Sequence, residues 1–172
     1  DIEAPAEDLQ LDWEAELTVV VGKVVRHADE ATARDAIAGY TVANDISMRG
    51  YQFRTKEWLQ GKVWDSSTPV GPVLVTADEW APGPTVSTTL NGETMQQAST
   101  GDLVHDPVAL VSYLSTIVTL RPGDLILTGT PGGVGHARKP ARYLRPGDVV
   151  ETSIEGIGAL RNTVVPPADR SV

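Results

Sequence analysis

Two glutamates two residues apart, Glu14 and Glu16, stand at the mouth of the apolar run Leu-Thr-Val-Val-Val in the stretch LDWEAELTVVVGK. Side chains two apart on a strand face the same way, which sets these carboxylates on one side, roughly 7 Å apart at the backbone. Like charges on one face need something positive between them: a hard divalent cation, a Lys or Arg, or bulk water. A solvated strand end is the simplest explanation of the spacing alone. Asp45, in VANDIS at the end of another apolar stretch, supplies a third carboxylate. Three carboxylates in a chain without cysteine suit an all-oxygen site for Mg²⁺ or Mn²⁺. The structural alternative is that Asp45, beside Asn44, makes an Asx turn.

Other residues could complete such a site. Lys62 follows a glycine and is flanked by Trp58 and Trp64. A lysine held by aromatics near a metal could bind a carboxylate or an oxyanion. Arg49 and Gln52 follow Asp45 by four and seven positions and share a face if that segment is helical. The run TGTPGGVG, Thr128 to Gly135, resembles an anion-binding glycine loop, without the lysine of a phosphate loop or the spacing of a dinucleotide fingerprint. Its backbone N–H groups and Thr130 could touch a substrate carboxylate; a bulged turn is the alternative. Of the histidines, His27 and His105 are expected to be exposed. Only His136 is expected near the site, and none is assigned as a base.

The elements that must carry these groups are strand-rich. The 172 residues suit one domain, 41% of them hydrophobic, with 16 Gly and 12 Pro as turn punctuation. A net charge of −9 argues against nucleic acid and anionic membranes as partners. No run approaches the ~20 apolar residues of a membrane span, and a cytoplasmic location is the simplest expectation. Residues 1–10 read as a linker or cut edge, 11–165 as the domain, and 166–172 as a tail. Strands are expected at 17–25, 40–43 and 73–76, and a helix capped by Asp29 should run to Ile37. Residues 53–60 are expected as a short helix stopped by Gly61. Asn91-Gly92 predicts a type I′ hairpin, and Asp106-Pro107 a helix to about Val118. LRPGD occurs twice, at 120–124 and 144–148, as two uses of one turn, and residues 153–165 close as a strand pair.

The motifs WEAEL, NDISMR..Q, GK..D...P.GP, PGDLILTGTPGGVG and GD.V...I.GIG.L.N, in this order over residues 11–165, resemble the fumarylacetoacetate hydrolase family. That resemblance implies a mostly β fold, a mixed sandwich or roll with a few short helices, assembled as a homodimer. It implies a Mg²⁺ or Mn²⁺ held by Glu14, Glu16 and Asp45, an active-site lysine at Lys62, and substrate contacts from Arg49, Gln52 and Thr130. Gly50 departs from the acidic residue that commonly follows the arginine, which weakens the local support expected for Arg49. The family's water-activating His and its partner Glu lie upstream of the first metal motif, and no residue before Glu14 matches them. The implied chemistry is metal-dependent hydrolysis of C–C bonds in acylpyruvate-type 2-oxo acids such as fumarylpyruvate. An isomerase or decarboxylase of aromatic catabolism acting on 2-hydroxyhepta-2,4-dienedioate is the enzymatic alternative. A member without activity, or a binding module, is the non-catalytic one.

Overall fold

In the computed structural model, residues 1–167 are described. Eleven strands and three short helices follow one another: β1 (Ile2–Glu3), β2 (Leu11–Asp12), β3 (Ala15–Val21), α1 (Glu30–Asp35), β4 (Ile37–Asn44), β5 (Ser47–Met48), α2 (Arg49–Gln52), β6 (Val70–Thr76), β7 (Thr85–Leu90), β8 (Glu93–Ser99), α3 (Pro107–Ile117), β9 (Leu125–Leu127), β10 (Val149–Ile154) and β11 (Gly158–Val165). A five-stranded sheet runs β1-β11-β10-β7-β8 and a four-stranded sheet runs β6-β4-β3-β9; a small β2-β5 ladder lies beside them. This is the mostly β architecture with few helices that the motifs imply.

Two apolar clusters form the core. One joins Leu17, Val19, Tyr40 and Val42 to Val86, Val111 and Ile154. The other joins Trp13, Ile46 and Met48 to Leu90, Leu144 and Val150. Between them the pair Thr88–Thr152 interrupts the apolar rows of β7 and β10, because Val86 faces Ile154 and Leu90 faces Val150 on either side of it. The start of β3 lies at this polar seam, where Gln96 accepts from both the Ala15 N–H and the Thr88 hydroxyl. Residues 1–10, expected as a linker, contribute fully buried Ile2, which pairs with Val164 of β11. The tail expected over 166–172 lies outside the described residues from position 168 onward.

The hairpin forms as its turn residues dictate, with Asn91 and Gly92 both at positive φ. Asp29 and Asp106 cap α1 and α3 by accepting the backbone N–H of Thr32 and Ala109. The first long strand begins earlier than expected, at Ala15, and ends at Val21. The helix expected over 53–60 is absent. Thr55 instead closes a turn, its hydroxyl donating to the Glu57 carbonyl and accepting the Glu57 N–H, which competes with helical bonding. The helical turn lies just upstream, at α2, and a 3₁₀ turn at Leu59–Gly61 delivers Lys62.

The repeated LRPGD is one turn used twice. In each copy the aspartate accepts the N–H three residues back, Arg121 to Asp124 and Arg145 to Asp148, both at 2.8 Å. Their surroundings differ. Asp124 is exposed, whereas Asp148 is buried and also accepts from Asn91 and Arg142. Asp148→Ala should therefore cost about 2–3 kcal/mol in urea unfolding and Asp124→Ala about 1 kcal/mol or less; equal losses would show that the turn alone, and not its neighbours, sets the effect.

Candidate metal and substrate site

The start of β3 and the end of β4 lie side by side, with Ala15 opposite Asn44 and Glu16 opposite Ala43. Asn44 accepts the Glu14 N–H through its side chain, and Asp45 N–H donates to the Glu14 carbonyl. This crossing of backbone bonds brings Glu14, Glu16 and Asp45 together, each offering a carboxylate oxygen within 4.8 Å of the others. The Asx-turn alternative for Asp45 gives way, since its side chain faces the other two acids.

Two cations meet this cluster. Lys62 Nζ donates to Glu14 Oε2 at 2.7 Å, to Asp45 Oδ2 at 2.6 Å and to Ser47 Oγ at 2.6 Å. The tryptophans do not hold it: Trp64 donates to the Gln60 carbonyl and packs on Tyr51, and Trp58 is largely exposed. Arg49 Nη1 donates to Glu14 Oε1 at 2.6 Å and to Gln52 Oε1 at 2.8 Å, while its Nε donates to Asp12 at 2.9 Å. Arg49 and Gln52 thus share the inner face of α2. Among the described residues, neither Arg49 Nη2 nor Gln52 Nε2 has a protein partner. The support expected to be lost at Gly50 comes from elsewhere: Asp8 accepts the Tyr51 N–H and lies so close that a Cβ at Gly50 would meet its oxygens at 2.8 Å.

The glycine loop does bind anions, but they are the protein's own. Gly129 N–H donates to Glu16 at 2.6 Å, and Gly135 and His136 N–H donate to Asp12 at 2.7 and 2.9 Å. Thr130 lies beside Glu16, yet its hydroxyl donates to the Ala15 carbonyl and accepts from Gln96 Nε2. It therefore offers a ligand a lone pair rather than a proton. Gln96, buried on β8, also accepts the Ala15 N–H between the two glutamates. The sequence reading missed Asp12, Ser47 and Gln96. Asp12 had a signal, since carboxylates recur at 12, 14 and 16; Gln96 had none. His27 and His105 are exposed as expected, and His136 joins the site through its backbone while its ring meets Tyr143 and Phe53.

Burial pushes the Glu16 carboxyl from 4.5 up to about 7; the Gly129 N–H opposes this, Asp45 and Glu14 add to it, and Lys62 opposes it. Burial also raises Asp45, against its bond to Lys62. Oxygen-only donors with more negative than positive charge, one of them costly to ionise when alone, fit a hard divalent cation.

A strand-built scaffold thus carries three clustered carboxylates, a partly buried lysine and an arginine with spare donors, a group of oxygen donors and cations set side by side. The chain belongs to the fumarylacetoacetate hydrolase family, whose C-terminal domain model matches residues 1–165. It is 44% identical over 168 residues to a mitochondrial oxaloacetate tautomerase of Xenopus laevis, an alignment covering 95% of this chain and 53% of that protein. Among solved structures it is similar to a 2-hydroxyhepta-2,4-diene-1,7-dioate isomerase from Mycobacterium marinum, at 40% identity and TM-score 0.88, covering 97% of this chain and 63% of that one. It is also similar to fumarylpyruvate hydrolase from Pseudomonas aeruginosa in complex with Mn²⁺ and pyruvate, at 31% identity and TM-score 0.88, covering 97% and 71%. The chain spans about half the length of the curated relatives it matches. No described helix is long and apolar enough to cross a membrane.

The raised Glu16 has a consequence for stability. A carboxyl with a higher pKa folded than unfolded favours the folded state fully below 4.5, and that favour is lost as pH rises to about 7. With a chelator present, Glu16→Gln should abolish this loss, so that at pH 8 the variant exceeds wild type by about 3 kcal/mol relative to their difference at pH 4. Parallel stability–pH curves for the two proteins would contradict it.

Proposed function

We propose that this chain catalyses enol–keto interconversion of short 2-oxo acids with a second carboxylate, the oxaloacetate class, using Mg²⁺ or Mn²⁺. The observation that carries this reading is the meeting of Glu14, Glu16 and Asp45 with Lys62, beside the spare donors of Arg49 and Gln52. A divalent ion held by the three carboxylates supplies Lewis-acid polarisation of a 2-oxo group. Arg49 Nη2 and Gln52 Nε2 would take a substrate carboxylate, and the Lys62 charge would offset that which develops on the 2-oxo oxygen as the C3 proton passes to solvent water. Thr130 contributes through its lone pair and its place beside Glu16. The name of the Xenopus relative supports this reading over the hydrolysis expected from the motifs.

Hydrolysis of acylpyruvates such as fumarylpyruvate is the second reading, supported by the likeness to the Pseudomonas aeruginosa enzyme. Isomerisation or decarboxylation of 2-hydroxyhepta-2,4-dienedioate in aromatic catabolism is supported in the same way by the Mycobacterium marinum structure. A homodimer is proposed as well: edge strand β6 leaves Val70, Val73 and Leu74 about half exposed, an apolar edge that a second copy can cover. The cytoplasm is the proposed compartment, with fractionation as its test.

With Mg²⁺ present, the intact protein should speed the decay of enol-oxaloacetate, and Lys62→Met should lower kcat/KM by about 10²–10³. Hydrolysis of fumarylpyruvate without accelerated tautomerisation would replace the first reading by the second. Neither activity, together with Mg²⁺ binding no tighter in wild type than in Glu16→Ala by calorimetry, would leave a non-catalytic module.

A further inference from the structure

Asp12 is fully buried and has no place among the groups expected to touch substrate or metal. A buried carboxylate needs compensation, and four donors provide it: the N–H groups of Trp13, Gly135 and His136, and Arg49 Nε. The loop reaches Asp12 only because residue 135 is glycine. A Cβ there would fall within contact distance of the Arg142 carbonyl, 2.8 Å from Asp12 Oδ1 and 2.9 Å from the Trp13 ring.

The bonds around Arg49 are directional. Asp12 fixes Nε, Glu14 and Gln52 use both protons of Nη1, and the guanidinium is planar. With those three directions set, the Nη2 protons have one direction left. The same loop donates to Glu16 at its other end, through Gly129. One backbone segment therefore ties a metal-ligand candidate to the arginine that faces a substrate carboxylate.

We propose that Asp12, held by Gly135 and His136, is a positioning residue that aims Arg49 Nη2 at the substrate carboxylate. The glycine-rich loop thereby holds Glu16 at one end and, through Asp12, the plane of that guanidinium at the other. This rests on Arg49 being a carboxylate-binding group of the proposed site.

The probe is oxalate, a non-reacting dianion, titrated into the intact Mg²⁺-loaded protein. Asp12→Asn should weaken oxalate by about 10–100-fold while leaving Mg²⁺ affinity close to wild type. Arg49→Met should weaken it similarly, and the double variant no further, since both act through one guanidinium. Additive losses, or an Asp12→Asn protein that binds oxalate as wild type does, overturn the proposal. A second measurement needs no variant. In wild type the Arg49 Nε–H should give a discrete, slowly exchanging NMR signal that stays in place when oxalate is added, while the Nη2 protons slow. A fast-exchanging Nε–H overturns the proposal even if the variant fails to fold. Failure of wild type to bind oxalate, with a protected Nε–H, counts instead against the proposed function and leaves Asp12 as the arginine's anchor.

Discussion

Glu14 lies between two cations, Arg49 and Lys62, each within 2.7 Å, and much of the fold serves to hold that arrangement. Among the described residues, Asp12, Glu14 and Asp45 form their ion pairs with these two basic groups, and Glu16 beside them pairs with neither. Removing such charges from water costs several kcal/mol each, and losing one member of a buried pair typically costs about 3–5 kcal/mol. The cluster is therefore a burden on stability, which the surrounding structure has to offset.

The offset comes mostly from backbone. Gly129 gives its N–H to Glu16, which has no ion pair, and Gly135 and His136 give theirs to Asp12, whose ion pair is with Arg49. Asn44 fixes the Glu14 backbone, and Gln96 fixes Ala15 between the ligands. These supports come from β4, β8 and the loop after β9, and the two apolar clusters on either side of the Thr88–Thr152 seam hold those elements in place. The sheets hold the carboxylates while Arg49 and Gln52 arrive on α2 and Lys62 at the end of a 3₁₀ turn.

How far the sequence foretold this depends on the range of the interaction. Asn91-Gly92, Asp29 and Asp106 act on their own neighbours, and their turns and caps were legible. The meeting of Glu14, Glu16 and Asp45 was legible from the third carboxylate and the motif order, whereas the spacing of the two glutamates alone favoured a solvated strand end. The support of Arg49 was not, because Asp12 reaches it from 37 positions away, while Asp8 packs against the Gly50 that seemed to weaken it. Gln96 bridges β8 to β3 and to the loop after β9, and nothing near it in the chain announces that. The helix expected at 53–60 failed for a local reason, the Thr55 turn, which periodicity does not weigh. In the loop TGTPGGVG the Gly129 and Gly135 N–H groups donate to Glu16 and Asp12, partners more than a hundred positions away that the loop's own residues do not announce.

The central claim is that Glu14, Glu16 and Asp45 form one divalent-cation site. Anomalous diffraction from crystals grown with Mn²⁺ tests it directly. The expected result is a single strong peak at roughly 2.2 Å from an oxygen of each of the three carboxylates. A peak elsewhere, or none at saturating Mn²⁺ with all three carboxylates still bonded only to Lys62, Arg49 and Gly129, would contradict it.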